Sequence, residues 1–254
     1  FGRCVAIPFS IMAGIGSAIV DANSGVLTAI SVGSVTLVAS AEGDADYNPA
    51  TVTQLITINK ATPTLTIVAA NAMLVDGMLT ATVNTTATYG RGGAIVYGLI
   101  AGSGSATVNA TTGLVKAISS GTITLTVTSA GDSNYNSSSV AQLITIGQAT
   151  PTLVITSANT LNVDATLVAT VTSTATNGRG GAVTYAVIAG SGSATANATT
   201  GLVTGISVGT VTLTATSQGD GDYASVTVSQ LITIGKTTPT LTITSASTLG
   251  VEGT

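Results

Sequence analysis

The side chains in this sequence that can bind or transform anything are few, and they recur at one spacing. Three acidic turns carry Asp44 with Asp46, Asp132 with Asn134, and Asp220 with Asp222. Carboxylate and amide oxygens set two residues apart are donors that Ca²⁺ takes, and Glu42 nearby, or Asp76 and Asp164 from another loop, offer further oxygens. The same residues also make Asx turns, in which an Asp side chain accepts from its own backbone. The middle copy has one carboxylate fewer, and no fixed ligand series runs through the turns. No metal residue is therefore assigned and no cofactor is implied.

Catalysis finds still less to work with. There is no histidine, hence no imidazole base, no Ser–His or Cys–His couple and no His/Cys metal set. The carboxylate pairs stand in turns that recur with every copy. The sequence reads as a non-enzyme without catalytic or cofactor-binding residues. Arg3, Arg91 and Arg179 share one column in a Gly-rich turn. Pairing with an acid of the same copy is the expectation, and a contact across copies or chains is the alternative. Cys4 stands where the other copies have Gly92 and Gly180, so its thiol is no part of a repeated design and reads as an unpaired small residue. Asn84, Asn109, Asn136 and Asn197 head N-x-Ser/Thr sequons, which chance supplies in so Ser/Thr-rich a chain.

The elements that must position these residues repeat without insertion or deletion. Pro63, Pro151 and Pro239 are 88 apart (151 − 63 = 239 − 151 = 88), as are Gly25, Gly113 and Gly201, Tyr47, Tyr135 and Tyr223, and Gln54, Gln142 and Gln230. The 254 residues thus hold just under three copies of a domain-sized module. Only 6% of residues are charged, against about 25% in an average soluble domain. The six basic residues are scattered and the net charge is −4, which excludes a basic nucleic-acid surface. With 44% hydrophobic residues, the chain folds rather than staying disordered. Residues 4–20 lack a basic leader, contain Pro8, and fall short of the roughly 20 residues needed to span a bilayer. They align without gaps on 92–108 and 180–196, so they are a modified strand region, and no membrane insertion is expected.

Residues 121–128, GTITLTVT, alternate strictly. Ile123, Leu125 and Val127 point one way and the threonines the other, the mark of a half-buried strand. The same reading predicts strands near 64–69, 78–86, 94–101, 105–108, 114–118, 121–129 and 138–146, with Gly- and Asn-rich turns between them and no helical period. About seven short strands per module indicate an all-β fold of tandem immunoglobulin-like β-sandwich domains on the 88-residue repeat. Phe9, Tyr97 and Tyr185 fill the column of the central strand where such domains bury an aromatic ring. Tyr47, Tyr135 and Tyr223 follow a Gly-Asp turn before the last strand, where a tyrosine hydroxyl can pin the loop.

The run SATVNATTGLVKAISSGTITLTVTS at 105–129, and its copy at 193–217, resemble the bacterial Ig-like domains, group 2 especially. The stretch DSNYNSSSVAQLITIGQATPTL at 132–153 is similar to the tail and junction of related repeats. The resemblance covers essentially the whole chain. It implies stalks and spacers of large secreted or cell-surface proteins, an extracellular location, and no shared catalytic residues.

Domain borders are expected at 1–61 (a partial domain lacking its first strands), 62–149, 150–237 and 238–254 (the first strand of a further domain, or a donor strand for a neighbouring subunit). The junctions Asn59–Pro63, Gly147–Pro151 and Gly235–Pro239 are short and end in proline, which restricts both itself and the residue before it. Modules so joined are expected to be semi-rigid. In the first module Ile15 and Ile19 replace the Ser and Thr at 103/191 and 107/195, and Val5 replaces a Gly. They face either a partner or a repacked core.

The first module lacks the 26 positions equivalent to 63–88, and 239–254 matches the first 16 of them. End-to-end assembly by strand complementation is one explanation, and an excerpt of a longer covalent array is the other. The function expected is a structural repeat protein of an extracellular filament, sheath or long surface stalk. Its partners would be copies of itself, further Ig-like repeats of the same chain, or surface glycans. The alternative is an adhesin or carbohydrate-binding module. Recognition gathers aromatic anchors on one module, whereas modules two and three are about two-thirds identical and keep their aromatics in the same columns.

Overall fold

Alternation builds this chain into sheets. In the strand Gly121–Ser129, Ile123, Leu125 and Val127 are fully buried while the threonines between them face outward, as a period of two requires. The computed structural model describes residues 7–88, 90–245, 248, 250 and 251. The chain falls into two compact units, Phe1–Gly147 and Gln148–Thr254. Among the described residues no helix is long and apolar enough to cross a membrane.

The first unit begins with β1 (Phe9–Met12), β2 (Ser17–Val20), β3 (Leu27–Ser31), β4 (Gly33–Ala41) and β5 (Ala50–Ile58). They form a sheet of order β1-β4-β5 and a pair β2-β3. It continues with β6 (Leu65–Val68), β7 (Ala72–Leu74), β8 (Met78–Thr80), β9 (Thr82–Thr85), β10 (Ile95–Ala101), β11 (Ser105–Val108), β12 (Leu114–Ser119), β13 (Gly121–Ser129) and β14 (Ser138–Gly147). One layer is the sheet β10-β13-β14-β7, and the other holds β11-β12-β8 and the pair β6-β9.

In the second unit β15 (Leu153–Ile155), β16 (Thr160–Asn162), β17 (Thr166–Val168), β18 (Val171–Ser173), β19 (Val183–Ala189), β20 (Ser193–Ala196), β21 (Leu202–Ser207), β22 (Gly209–Ser217) and β23 (Val226–Gly235) repeat that arrangement. Its sheets are β16-β23-β22-β19, β17-β21-β20 and β15-β18. Two facing layers with this pairing are an immunoglobulin-like sandwich, and the fold is a tandem array of them. Leu161, Ala169, Val203, Val211, Leu213, Ile232 and Ile234 fill the core of the second unit, with Tyr185 packed against them.

Three local readings of the sequence need correction. The strand expected over 78–86 is broken at Ala81, which is buried and gives its N–H to Gly113 O across 3.0 Å. β8 therefore pairs with β12 while β9 pairs with β6. The short β7 was not expected. It runs parallel to the end of β14, a pairing with a partner some 70 residues away that no local pattern announces. The column of Phe9, Tyr97 and Tyr185 lies on β1, β10 and β19, each at the edge of its sheet rather than its centre. The chain leaves β10 for β11 in the opposite layer, and the free side of β10 is met at Tyr97, whose N–H donates to Ala110 O at 2.9 Å.

Ile15 and Ile19 are 89% and 61% exposed. They are not part of a repacked core. Val5 lies outside the described residues.

Leu213 is fully buried at the middle of β22. Leu213→Ala is expected to destabilise its sandwich by about 2–5 kcal/mol through lost transfer energy and a residual cavity, read as a fall in the urea midpoint.

Candidate functional site

The recurring acids sit at the turn into the last strand of each module, where their first job is local. Asp132 Oδ1 accepts from Asn134 N (2.7 Å) and Tyr135 N (2.8 Å), and Asp132 N donates to Tyr135 O (3.0 Å). Asp220 does the same with Asp222 N, Tyr223 N and Tyr223 O. Asp44 repeats it with Asp46 N and Tyr47 N. These are Asx turns.

In the two complete copies the second carboxylate oxygen goes elsewhere. Asp132 Oδ2 accepts from Gly92 N at 2.8 Å, and Asp220 Oδ2 from Gly180 N at 2.6 Å. Each carboxylate thereby ties its turn to the Gly-rich loop before β10 or β19. Donation by those glycine amides, followed by the turn amides, holds the Asp132 and Asp220 carboxyls below their usual range.

The Gly-rich loop is held from its other side as well. Ser129 Oγ donates to Gly92 O, and Ser217 Oγ to Gly180 O; both serines are buried. Gly181 has φ +75°, and a Cβ there would stand 2.2 Å from Gly219 O. Only glycine fits so close to another backbone. The Tyr135 hydroxyl meets Thr88 N and Thr88 Oγ1, each at 3.1 Å. Tyr223 meets Thr176 N and Oγ1 in the same way. The tyrosine column does pin this loop, in β13–β14 and again in β22–β23. Tyr47 is 74% exposed.

Asp76 and Asp164 do not join this cluster. They occupy left-handed turns with φ of 62° and 61°, beside the end of the last strand, where Val75 N and Val163 N donate to Gly147 O and Gly235 O. The acidic turn precedes the start of that strand, and ten residues of β-structure span roughly 30 Å. Among the described residues no group of three or more His, Cys, Asp or Glu side chains is placed to hold a metal.

Both roles expected of the arginine column are present. Arg179 pairs with Asp222 of its own module at 3.0 Å and lies over the Tyr223 ring. Arg91 Nη1 donates to Ile30 O of the preceding module. Arg3 and Cys4 lie outside the described residues. The sequon residues Asn109 and Asn197 cap their own turns, each Oδ1 accepting from the amides two and three residues on. Asn136 N instead donates to Ala61 O and its Nδ2 to Thr62 Oγ1, and Asn84 lies on β9.

What sequence reasoning missed is that the same turn receives the module junction. Ala61 forms a parallel bridge with Tyr135: Ala61 N donates to Asn134 O at 3.1 Å, and Asn136 N to Ala61 O at 2.8 Å. Lys60 Nζ donates to Asp132 O at 2.7 Å, and Asn134 Oδ1 accepts from Val32 N at 2.9 Å. Ile30, Val32, Ile58, Asn134 and Tyr135 surround a niche of about 80 Å³ between the two modules. In the second unit Ala149 bridges Tyr223, and Gln148 Nε2 donates to Asp220 O at 2.7 Å. The buried serines had a signal in the sequence, because Ser129 follows Ile123, Leu125 and Val127 on the inward parity. The junction contacts had none.

Residues 149–228 match the bacterial Ig-like domain, group 2. This Ig-like match lies within the second unit and contains both Asp220 and Tyr223. Among solved structures the chain is similar to Sidekick-1 immunoglobulin domains 1–5, with 16% identity and a TM-score of 0.32. That likeness covers 91% of this chain and 53% of the other, so the chain spans about half of that structure's length. No curated protein matches the chain.

The depressed carboxyls of the Ig-like turns give pH a defined sign. A folded pKa below the ordinary 3.8 means the stabilisation is complete above that value and is lost as pH falls through the lower folded pKa. Melting temperatures taken between pH 2 and 7 are expected to drop below about pH 4. The drop is expected to be shallower in Asp132→Asn/Asp220→Asn, which also melts lower at neutral pH. Equal acid slopes in the two proteins would assign the dependence to other groups.

Proposed function

We propose that this chain is a structural repeat segment of an extracellular filament, sheath or long surface stalk, in which Ig-like modules act as end-to-end spacers. The observation that carries the reading is the junction. Ala61 is hydrogen-bonded on both its N–H and its C=O to the turn of the following module, so the connecting segment is part of the fold rather than a tether. Lys60, Asn134 and Arg91 add three contacts across the same boundary. A linker bonded in this way transmits position from one module to the next, which is what a spacer needs.

The low charge fits a surface covered by further Ig-like repeats, by copies of the chain or by surface glycans. The adhesin alternative gains no comparable support. An apolar hollow lined by Ile7, Phe9, Ala39, Ala41 and Val52 lies over β1, β4 and β5, but these are inward-facing sheet positions. Their counterparts on β13 and β14 lie beneath β6 in the second module, so the hollow is core surface and not a carved ligand site.

¹⁵N relaxation of the chain tests the reading. Residues 9–58 and 65–147 are expected to share one rotational correlation time, and antibodies raised against the chain are expected to label intact source cells. Independent tumbling of the two modules would overturn the spacer function.

A further inference from the structure

Among the described residues, Lys116 is the one charged side chain in any strand. It lies on β12, so the outer faces of the larger sheets, β1-β4-β5, β10-β13-β14-β7 and β16-β23-β22-β19, carry no charged strand residue. On these faces one row recurs. In the second module Ile100 and Leu143 flank Thr124 as its direct cross-strand partners. Ile188, Thr212 and Leu231 repeat the row in the third module, and Met12, Thr36 and Leu55 in the first. All six flanking side chains are between 59% and 68% exposed. A single exposed aliphatic group is ordinary, whereas a pair kept at the same row of every module is a pattern. The outer face of the opposite layer also exposes apolar groups, but it changes between modules: the pair Lys116 and Met78 of the second is Thr204 and Thr166 in the third.

We propose that this uncharged face is a lateral docking surface for a second copy of the chain, the two faces stacking about 10 Å apart as packed sheets do. Covering the aliphatic pairs removes apolar surface from water. Covering the threonines costs little, because hydroxyls of the face already have partners on their own sheet. Thr214 Oγ1 donates to Ala186 O at 3.2 Å, and Thr216 and Thr227 share a bond of 2.8 Å. Area decides what kind of partner fits. Four strands about 4.8 Å apart and about nine residues long make a face of roughly 570 Å², short of the about 800 Å² per partner in a standard stable interface. Faces of two modules together exceed it. The partner must therefore be flat, uncharged and repeat the row from module to module, and a second copy of this chain has that surface. The contact is side by side, so it goes beyond the end-to-end spacer function and does not depend on it.

The test is sedimentation of the full chain in a Cys4→Ser background, from about 10 µM to about 1 mM, which spans weak contacts of this size. Three proteins are compared: the parent, the face variant Ile100→Lys/Leu143→Lys/Ile188→Lys/Leu231→Lys, and the control Met78→Lys/Ile206→Lys on the opposite layer. The mass of the parent is expected to rise with concentration. The face variant is expected to associate more than about tenfold more weakly, because each copy then sets like charges against the other. The control is expected to follow the parent. A parent that stays monomeric throughout would overturn the proposal. So would a face variant that associates like the parent, or a control weakened as much as the face variant. A monomeric parent that binds immobilised glycans, with binding lost in the face variant, would assign the face to sugars instead. Melting curves check that the variants keep the parent's transitions. If the lysines unfold a module, threonine at the same four positions carries the comparison.

Discussion

A single carboxylate in each of the second and third modules ties together the turn before the last strand and the Gly-rich loop. One oxygen of Asp132 fixes the turn that launches β14, and the other anchors the Gly-rich loop that launches β10. Without the first bond the turn has no fixed shape to present to the junction. Without the second, the Gly-rich loop loses its tie to that turn's carboxylate. An Asx turn by itself is common. Its weight here comes from the second oxygen, from Ser129 on the other side of Gly92, and from the tyrosine hydroxyl that closes on Thr88. The same bonds hold the carboxyl pKa of Asp132 and Asp220 below its usual range.

The recurring acids have a structural task. Asp132 accepts three backbone amides across its two oxygens, while Asp76 and Asp164 stand near the opposite end of the last strand. Lys60, Arg91, Asp132, Arg179 and Asp222 make directional contacts at the module ends, while Lys116 stands exposed on β12. The outward threonines of β13 and β22 keep the faces polar without charge.

Much of the fold was legible because alternation is a local property. The run from Gly121 to Ser129 reports its own inward and outward sides, and the same parity that buries Ile123, Leu125 and Val127 buries Ser129. The tyrosine column was legible as a loop pin because its place after a Gly-Asp turn fixes its surroundings. The errors fell where a local signal is weak or absent. β7 is three residues long and pairs with a strand far along the chain. The interruption at Ala81 is set by the carbonyl of Gly113, which nothing in residues 78–86 reveals.

What the sequence determined by itself was the module: its period, its strands, its turns and its resemblance to Ig-like repeats. These follow from patterns that every copy carries internally. Only the tertiary structure decided what the acidic turns and arginines are for, because most of their partners are backbone groups. Gly92 N, Ile30 O and Val32 N are invisible as residue types, since every residue has a carbonyl and nearly every one an amide N–H. Which of them face a given side chain depends on how two sheets and two modules are brought together. Arg91 and Arg179 occupy one column of one repeat, and two of their acceptors, Ile30 O and the Asp222 carboxylate, are known only from the folded chain.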